Sequence, residues 1–259
     1  MATFTLPEGL RALAMRQPNE VYDALFQASA ATLKSFGRHH RQLKAELGFC
    51  AVLHTHSRRL DYHPHLHVVI PGGGIDVRRR QWRKLTGRYL FNGRNLAKVF
   101  RAKLIDGLKT AGVELPHGLP TQWIVHCVHV GTGLPAPKYL SRHLYRGVIQ
   151  EQQIVAVDRA AGTVTFRYQD GTKQAAYRTL ALVEFVRLLL RHVLPKGYRR
   201  VRDFGFLHSN AKRLLILLQW VLKVVIQAAA PRTPRPFLCP HCHVPMIVVG
   251  MAPRSAATT

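Results

Sequence analysis

Hydrophobic residues recur every three to four positions along several long stretches of the chain, which is the spacing of one helical face. This pattern predicts helices over Asn19–Phe36, Asn95–Ala111, Pro137–Val148, Thr179–Leu194 and Ala211–Ala230. Gly37 follows the first of them at a position typical of a helix stop.

Shorter segments are rich in β-branched and aromatic residues, and several alternate between apolar and polar positions, which favours β-strands. These segments are Phe49–Thr55, His65–Ile70, Thr121–Val130, Gln153–Asp158, Thr163–Gln169 and Tyr198–Phe204. We expect Pro71-Gly72-Gly73-Gly74 to end the second strand, and Asp170-Gly171 to turn the chain into a further short strand. Strands joined by hairpins and mixed with helices predict an α+β fold with an antiparallel sheet flanked by helices.

The same pattern suggests how the chain is divided. We expect one main domain over residues 1–210, a long C-terminal helix over 211–230, and a proline-rich linker and tail over 231–259. The longest apolar stretch lies within the C-terminal helix and is interrupted at Gln219, Lys223 and Gln227. Because these residues lie four apart, they form one polar stripe, which indicates an amphipathic helix and not a membrane span.

The net charge of the chain limits the kinds of partner that it is expected to bind. The 259 residues include 38 Lys and Arg but only 13 Asp and Glu, a formal net charge of +25. A folded protein this basic is expected to bind a polyanion, foremost nucleic acid. Four cysteines are too few for a disulfide-stapled secreted domain, and the N-terminus lacks the apolar segment of a signal peptide. We therefore expect a cytoplasmic, nucleoid-associated protein.

The most informative segment is Tyr62-His63-Pro64-His65-Leu66-His67-Val68-Val69-Ile70. Side chains alternate across a strand, so His63, His65 and His67 share one face while the other face is apolar. Successive imidazoles on that face are about 7 Å apart, twice the rise per residue. Two such imidazoles can converge on one divalent metal ion.

A metal site usually takes a third protein ligand and leaves positions for water and substrate. In the preceding strand, Cys50, Val52, His54 and His56 share a face, and either histidine could lie beside His65 and His67. We take His54 as the third candidate ligand. The alternative is that these histidines are ordinary residues that make hydrogen bonds and hold no metal.

A second segment, Pro137 to Arg146, predicts a helix that presents a tyrosine among basic residues. At 100° per residue, Arg142, His143 and Arg146 fall within about 60° of Tyr139, while the leucines face elsewhere. Nearby cations lower the pKa of a phenol and hold phosphate oxygens. Tyr139 and a histidine-bound metal therefore form a workable pair for cutting a phosphodiester. The alternative is an amphipathic helix with one interfacial tyrosine.

At these residues the chain resembles rolling-circle HUH transposases of the two-tyrosine insertion-sequence type. The histidine segment with its Pro-Gly-Gly-Gly ending carries the resemblance most specifically. Similar blocks, in the same order, are Phe4-Thr5-Leu6-Pro7, Lys138-Tyr139-Leu140-Ser141-Arg142, His192-Val193-Leu194-Pro195-Lys196-Gly197 and Gly205-Phe206-Leu207. The resemblance spans residues 4 to about 210 and marks residues 1–210 as an HUH-type catalytic domain.

The resemblance implies a transposase that nicks and rejoins single-stranded DNA at transposon ends, through a 5′-phosphotyrosine and a free 3′-hydroxyl, with Mg²⁺ or Mn²⁺. It makes His65 and His67 the paired metal ligands and Tyr139 the nucleophile. We assign Lys138, Arg142 and Arg146 to DNA positioning. A replication initiator or relaxase of the same superfamily is the nearest alternative.

The chain departs from the family pattern at two points. His143 stands where the family has its second tyrosine, and a histidine cannot form the second phosphotyrosine. Longer members carry a cysteine-rich zinc-binding segment before the block that begins here, so we expect a chain that lacks it. Both points keep open a third hypothesis, a catalytically inactive DNA-binding remnant.

The tail contains Cys239-Pro240-His241-Cys242-His243, which is half of a zinc knuckle. A complete structural site takes four ligands, commonly two Cys-x-x-Cys pairs. Cys239 and Cys242 are therefore candidate zinc ligands, and the alternative is a tail without a metal. Basic runs at Arg38–Lys44, Arg78–Arg88 and Tyr198–Arg202 are candidates for phosphate contact.

Overall fold

The computed structural model describes residues 1–87, 90–131, 148–172, 174–226 and 237–247. The chain divides into a large unit, Met1–Val224, and a small one, Val225–Thr259. Within the described residues the helices are α1 (Arg11–Arg16), α2 (Pro18–His39), α3 (Gly93–Thr110), α4 (Leu182–Leu190) and α5 (Lys212–Leu222). None of the helices in these ranges is both long and apolar enough to cross a lipid bilayer.

The strands build one central sheet and three small ones. They are β1 (Ala2–Thr5), β2 (Phe49–His56), β3 (Tyr62–Val69), β4 (Gly73–Asp76), β5 (Gln81–Lys84), β6 (Val125–Cys127), β7 (Ile154–Asp158), β8 (Thr163–Gln169), β9 (Ala175–Ala181), β10 (Val201–Phe204), β11 (Phe237–Leu238) and β12 (Pro245–Met246). The paired strands are antiparallel throughout, which confirms the predicted α+β class with helices beside antiparallel sheet.

The central sheet has the strand order β10-β2-β3-β1-β6, which places the histidine-bearing strand β3 in the middle. Burial along β3 alternates strictly: His63, His65 and His67 are half-buried, and the residues between them are buried. The apolar face of the sheet packs against helices α2 and α3, and Phe4 of β1 meets Phe100 of α3 edge to face at 5.0 Å. The predicted two-faced strand is confirmed.

A second sheet, β7-β8-β9, packs its apolar face on helix α4 through Phe166 and Phe185. It is tied to the turn between β2 and β3. The Arg178 guanidinium donates to Asp61 Oδ1 at 2.9 Å, and Leu60 is buried in the same small core. The small sheet therefore braces the end of the histidine-bearing hairpin.

The strand β3 ends at Val69, just before Pro71-Gly72-Gly73-Gly74, as predicted, but the last two glycines do more than end it. Gly73 and Gly74 begin β4, which pairs with β5 to form a hairpin whose tip carries Arg78, Arg79 and Arg80. A Cβ on Gly73 would lie 2.5 Å from the Trp82 ring, so a glycine is needed for close packing between the two strands. This hairpin packs against α5 around Ile75 and Leu218.

Gly37 is likewise not a helix stop, because α2 runs on to His39. A Cβ on Gly37 would lie 2.6 Å from Leu47 Cγ, so packing and not a turn selects glycine there. The fourth predicted helix begins three residues late, since Thr179 to Ala181 complete β9 and the Thr179 hydroxyl meets that of Thr165 at 2.8 Å. Pairing with β8 outweighs the helical pattern of those residues.

Two other elements are shorter than expected. The strand predicted over Thr121–Val130 is reduced to β6, because its neighbour β1 is only four residues long. Helix α5 ends at Leu222 and not at Ala230. Lys223 adopts a left-handed conformation with φ of 53°, and the Val224 N–H donates to the Gln219 carbonyl, a Schellman ending. Residues 227–230 lie outside the described ranges.

In the small unit, the described residues form one short hairpin, β11 paired with β12. Its turn contains Cys239 and Cys242, and we call residues 237–247 the cysteine hairpin. The Cys239 N–H donates to the Val244 carbonyl, and the His243 N–H donates to the Cys239 carbonyl, each at 2.9 Å.

Candidate metal centre

Three histidines meet on the polar face of the central sheet: His54 from β2, and His65 and His67 from β3. We call them the histidine triad. Cross-strand pairing sets His54 directly opposite His65, and Val52 opposite His67. One ring nitrogen from each histidine lies within 4.8 Å of the other two, close enough to hold one metal ion. Among the described residues this is the one such group of three or more potential ligands.

Hydrogen bonds orient the two histidines of β3. The His65 Nδ1–H donates to the His63 carbonyl at 2.7 Å, which leaves Nε2 as the donor for a metal. His67 Nδ1 lies 3.3 Å from the Thr3 hydroxyl on β1. The two Nε2 atoms are 3.2 Å apart. An ion about 2.1 Å from each would see a nitrogen–metal–nitrogen angle of roughly 100°, between octahedral and tetrahedral values.

The buried member of the triad, His54, is suited to a cation because its imidazole stays neutral. Burial, followed by the charges of His67, His65, Arg200 and His56, lowers the pKa of His54 to about 2. A neutral imidazole has the free lone pair that a metal ion takes. The triad could therefore bind a metal, and three nitrogen donors fit a divalent transition ion better than an oxygen-seeking one.

Burial differs within the triad. His54 is buried, whereas His65 and His67 are half-buried and reach the solvent side of the sheet. Three protein ligands on one side of an ion leave its remaining positions for water or substrate. The geometry therefore fits a site that admits a substrate from the open side.

Two other histidines nearby are engaged elsewhere. His63 accepts from the Arg11 guanidinium at 2.9 Å. His56, which sequence analysis weighed against His54, packs its ring 5.3 Å from that of His192. Burial, then the charge of His192, lowers the pKa of His56 to about 4. The structure thus groups His54, and not His56, with His65 and His67.

An irregularity in the hairpin explains this division. His54 pairs with His65, but His56 pairs with Tyr62, so one extra residue of β3 lies across from Thr55. Pro64 lies in this bulge, and its carbonyl accepts from the Leu6 N–H beyond the end of β1, so the side of Pro64 that lacks an N–H faces away from β2. After the bulge, His56 packs against His192 and stacks on the ring of His54 at 5.9 Å, and it is not part of the group whose ring nitrogens meet.

His192 fixes the strand end from behind. Its Nδ1 lies 3.2 Å from the Thr55 hydroxyl, and its Nε2 lies 3.0 Å from the Leu60 carbonyl. Burial lowers the pKa of His192, so this ring is neutral and one nitrogen donates while the other accepts. His192 therefore links the segment after α4 to the β2 strand that carries His54.

Arg200 brings a positive charge to the same strand end. Its Nε–H donates to the Leu53 carbonyl at 3.0 Å, and its own carbonyl accepts from the Leu53 N–H. Burial lowers the pKa of Arg200. Because Leu53 precedes His54, this half-buried guanidinium adds positive potential beside the triad, where a phosphate would be favoured.

The remaining predicted site residues divide by position. Tyr139, Lys138, Arg142, Arg146 and His143 lie outside the described residues. Cys239 and Cys242 lie in the cysteine hairpin, which belongs to the smaller unit.

Some arginines of the basic runs make contacts within the folded chain. Arg202 bonds Asp23 at 2.5 Å and stacks over Phe26, and Arg38 pairs with Glu46 at 2.7 Å. Intramolecular pairing therefore takes up two cations that the sequence suggests for phosphate contact.

Two residues of the site were not predicted from the sequence: Thr3, which contacts His67, and Arg11, which contacts His63. Both lie in the first eleven residues, whose contact with β3 depends on the long-range pairing of β1. The only signal there was the family block Phe4-Thr5-Leu6-Pro7, which adjoins Thr3. His192 was quoted within another block, without a role.

Residues 48–214 match the model of a protein family described as "Putative transposase". The chain is 34% identical to "Putative transposase y4qJ" of Sinorhizobium fredii over 80% of its length and 58% of that protein's. It is 28% identical to the transposase for insertion sequence element IS801 of Pseudomonas savastanoi pv. phaseolicola, over 80% of this chain and 53% of that protein. The chain thus spans little more than half the length of these relatives.

Among solved structures, a weaker similarity is to conjugative relaxase TrwC in complex with oriT DNA, in its metal-bound form. The two chains are 18% identical with a TM-score of 0.37, over 85% of this chain and 68% of that one.

Proposed function

Because the chain belongs to this transposase family, we propose that it is the DNA-cutting part of a rolling-circle transposase. The histidine triad carries the proposal, since it is a preformed set of three nitrogen donors on the open face of a very basic protein. The substrate in this proposal is single-stranded DNA at the ends of a mobile element. The protein would act in the cytoplasm, at the nucleoid.

The proposed reaction is a transesterification. The Tyr139 oxygen attacks the scissile phosphorus, the bond from phosphorus to the 3′ oxygen breaks, and the phenol's proton ends on the released 3′-hydroxyl. The DNA stays joined to the protein as a 5′-phosphotyrosine, so no nucleotide needs to be hydrolysed. Rejoining is the same exchange in reverse, with a 3′-hydroxyl as the attacking group.

Each group of the site has a role in this scheme. His54, His65 and His67 would hold Mg²⁺ or Mn²⁺, and of these two ions Mn²⁺ is the better match to nitrogen donors. A divalent ion supplies charge stabilisation to the transferring phosphate when bound. Lys138, Arg142 and Arg146 would position the strand, and the exposed arginines at the β4–β5 tip add phosphate contacts.

The test is covalent capture of DNA. The full chain is incubated with Mn²⁺ and single-stranded oligonucleotides copied from the ends of its element, and then run on a denaturing gel. We expect a protein–DNA adduct that Tyr139→Phe abolishes. Tyr145→Phe is the matched control on the same segment and should keep the adduct, as should Tyr177→Phe on β9. An adduct that survives Tyr139→Phe contradicts the assignment.

One observation favours a second candidate function. His143 occupies the position of the family's second tyrosine, which is consistent with a remnant that binds DNA without cutting it. Such a protein would show steeply salt-dependent DNA binding and no adduct with any divalent metal. A replication initiator or relaxase would instead form the adduct on origin DNA and not on element ends.

A further inference from the structure

The cysteine hairpin has no role in the proposed function, yet its turn is built around a sulfur atom. The backbone N–H groups of Cys242 and His241, together with the Cys242 thiol, lower the pKa of the Cys239 thiol. The His243 residue adopts φ of 57°, which lets the chain return so that its N–H reaches the Cys239 carbonyl. Two amides aimed at one sulfur stabilise a thiolate.

This arrangement is that of a metal-binding pair. On a tetrahedral zinc ion two sulfurs about 2.3 Å from the metal lie roughly 3.8 Å apart, which two cysteines spaced Cys-x-x-Cys in one tight turn can supply. Neither cysteine is in a disulfide.

The other two cysteines of the chain lack this setting. Cys50 and Cys127 are half-buried in the central sheet, and burial raises the pKa of both thiols, that of Cys50 to about 12. They remain protonated at neutral pH and make poor ligands. Soft-metal chemistry in this chain is therefore concentrated at Cys239 and Cys242.

The hairpin supplies only part of a zinc coordination sphere. Structural zinc takes four protein ligands. The segment from Val225 to Thr259 contains no Asp or Glu, and its other ligand-type residues, His241 and His243, directly adjoin Cys242. Within the described part of this unit, three ligand atoms do not come together at one point.

One feature points to a second copy as the source of the missing ligands, and the charge of the zinc centre removes an obstacle to it. The hairpin exposes a row of apolar side chains that a like hairpin could cover, namely Phe237, Leu238, Val244, Met246 and Ile247, the last 87% exposed. The segment also carries three arginines without an acidic residue, so two copies repel each other. A zinc ion with four thiolates has a net charge of −2, which offsets that repulsion.

We propose that Cys239 and Cys242 form a zinc half-site, and that the same two residues of a second chain complete it as a shared four-thiolate centre. Binding releases the four thiol protons to solvent and joins two chains through one ion. This inference does not depend on the proposed DNA chemistry.

The test uses the full chain with His65→Ala and His67→Ala, so that the triad does not contribute bound metal. After zinc loading and desalting, metal analysis is combined with light scattering on a sizing column. We expect half a zinc ion per chain and twice the mass of one chain, both lost in Cys239→Ser/Cys242→Ser. The control Cys50→Ser/Cys127→Ser should behave like its parent.

Cobalt substitution gives a second readout, because thiolate ligands produce an intense charge-transfer absorbance with Co²⁺ that histidine ligands do not. The band should be present in the parent and in the Cys50→Ser/Cys127→Ser control, and absent in the hairpin variant. One ion per monomeric chain, or a dimer that survives Cys239→Ser/Cys242→Ser, would overturn the proposal.

Discussion

The histidine triad and the cysteine hairpin are both suited to metal ions, but they are built in opposite ways. The triad draws on two adjacent strands in the interior of a five-stranded sheet, and helices α2 and α3 support it from behind. The cysteine pair comes from a single turn between two-residue strands. The first is complete within one chain, whereas the second supplies two ligands and exposes the apolar residues around them.

This difference has a thermodynamic consequence. A preformed site spends little free energy on ordering its ligands, so its occupancy depends on the metal concentration alone. A half-site depends also on the concentration of protein, because a second chain must arrive. Zinc in the cysteine hairpin should therefore dilute away at low protein concentration, while metal in the triad should not.

Removing one ligand should have the largest effect that distinguishes the two sites, and the effect is on metal affinity. His67→Ala should weaken Mn²⁺ binding at least about 100-fold, because it removes a ligand and vacates a position that Thr3 has oriented. Cys239→Ser should leave Mn²⁺ binding unchanged. Isothermal titration calorimetry on the full chain measures both, with the exposed His117→Ala as the control for histidine loss in general. If His117→Ala weakens Mn²⁺ binding as much as His67→Ala does, the triad is not a specific Mn²⁺ site.

A smaller effect is expected from pH, measured on protein freed of metal. The folded pKa values of His54 and His56, about 2 and 4, lie below the unfolded value near 6.5. The unfolded chain therefore binds more protons below pH 6.5, and stability present above that pH is lost as pH falls toward the folded values. At pH 5 each histidine should lower the free energy of unfolding by about 2 kcal/mol relative to neutral pH.

Urea unfolding followed by tryptophan fluorescence at pH 7 and pH 5 checks this expectation. His56→Gln removes one titrating ring without adding a charge, so its stability should fall by about 2 kcal/mol less over that interval. An unchanged pH dependence in His56→Gln would show that these rings are not the source of the acid sensitivity.

The smallest effect is expected at the hydroxyl behind His67. Thr3→Val keeps the shape of the side chain but removes the oxygen that faces His67 Nδ1, so Mn²⁺ affinity should fall about tenfold. Thr179→Val removes a comparable hydroxyl from the small sheet and should not alter the affinity. If both variants bind Mn²⁺ like the parent, the Thr3 contact does not orient the ligand.

Sequence reasoning predicted the two faces of β3 well because alternation along a strand is a local property. Which strands lie beside β3 is not local, and β1, with only four residues, shows little periodicity of its own. For that reason Thr3 was not foreseen, whereas His54 could be named because β2 and β3 are joined by a short turn. The bulge that separates His54 from His56 coincides with Pro64, which is visible in the sequence, but only the paired strands show which residue is displaced.

Local signals failed where tertiary contacts decide the outcome. Gly73 and Gly74 were predicted only to end the strand before them, yet they also begin β4 and pair with β5. Trp82 occupies the space beside Gly73, and the Glu46 carbonyl lies beside Gly74. Thr179 to Ala181 fit a helical pattern, yet they extend a seven-residue ladder with β8. Arg202 belongs to a basic run, but an aspartate and an aromatic ring on α2 engage it.

Pro64 also helps to fix the pairing register of strand β3. A shift of β3 by one residue would turn all three of its imidazoles onto the apolar helices. Such a slip would also move the proline out of the bulge and opposite a backbone carbonyl that it cannot satisfy. One residue without a hydrogen to donate thereby protects the alignment on which every ligand of the triad depends.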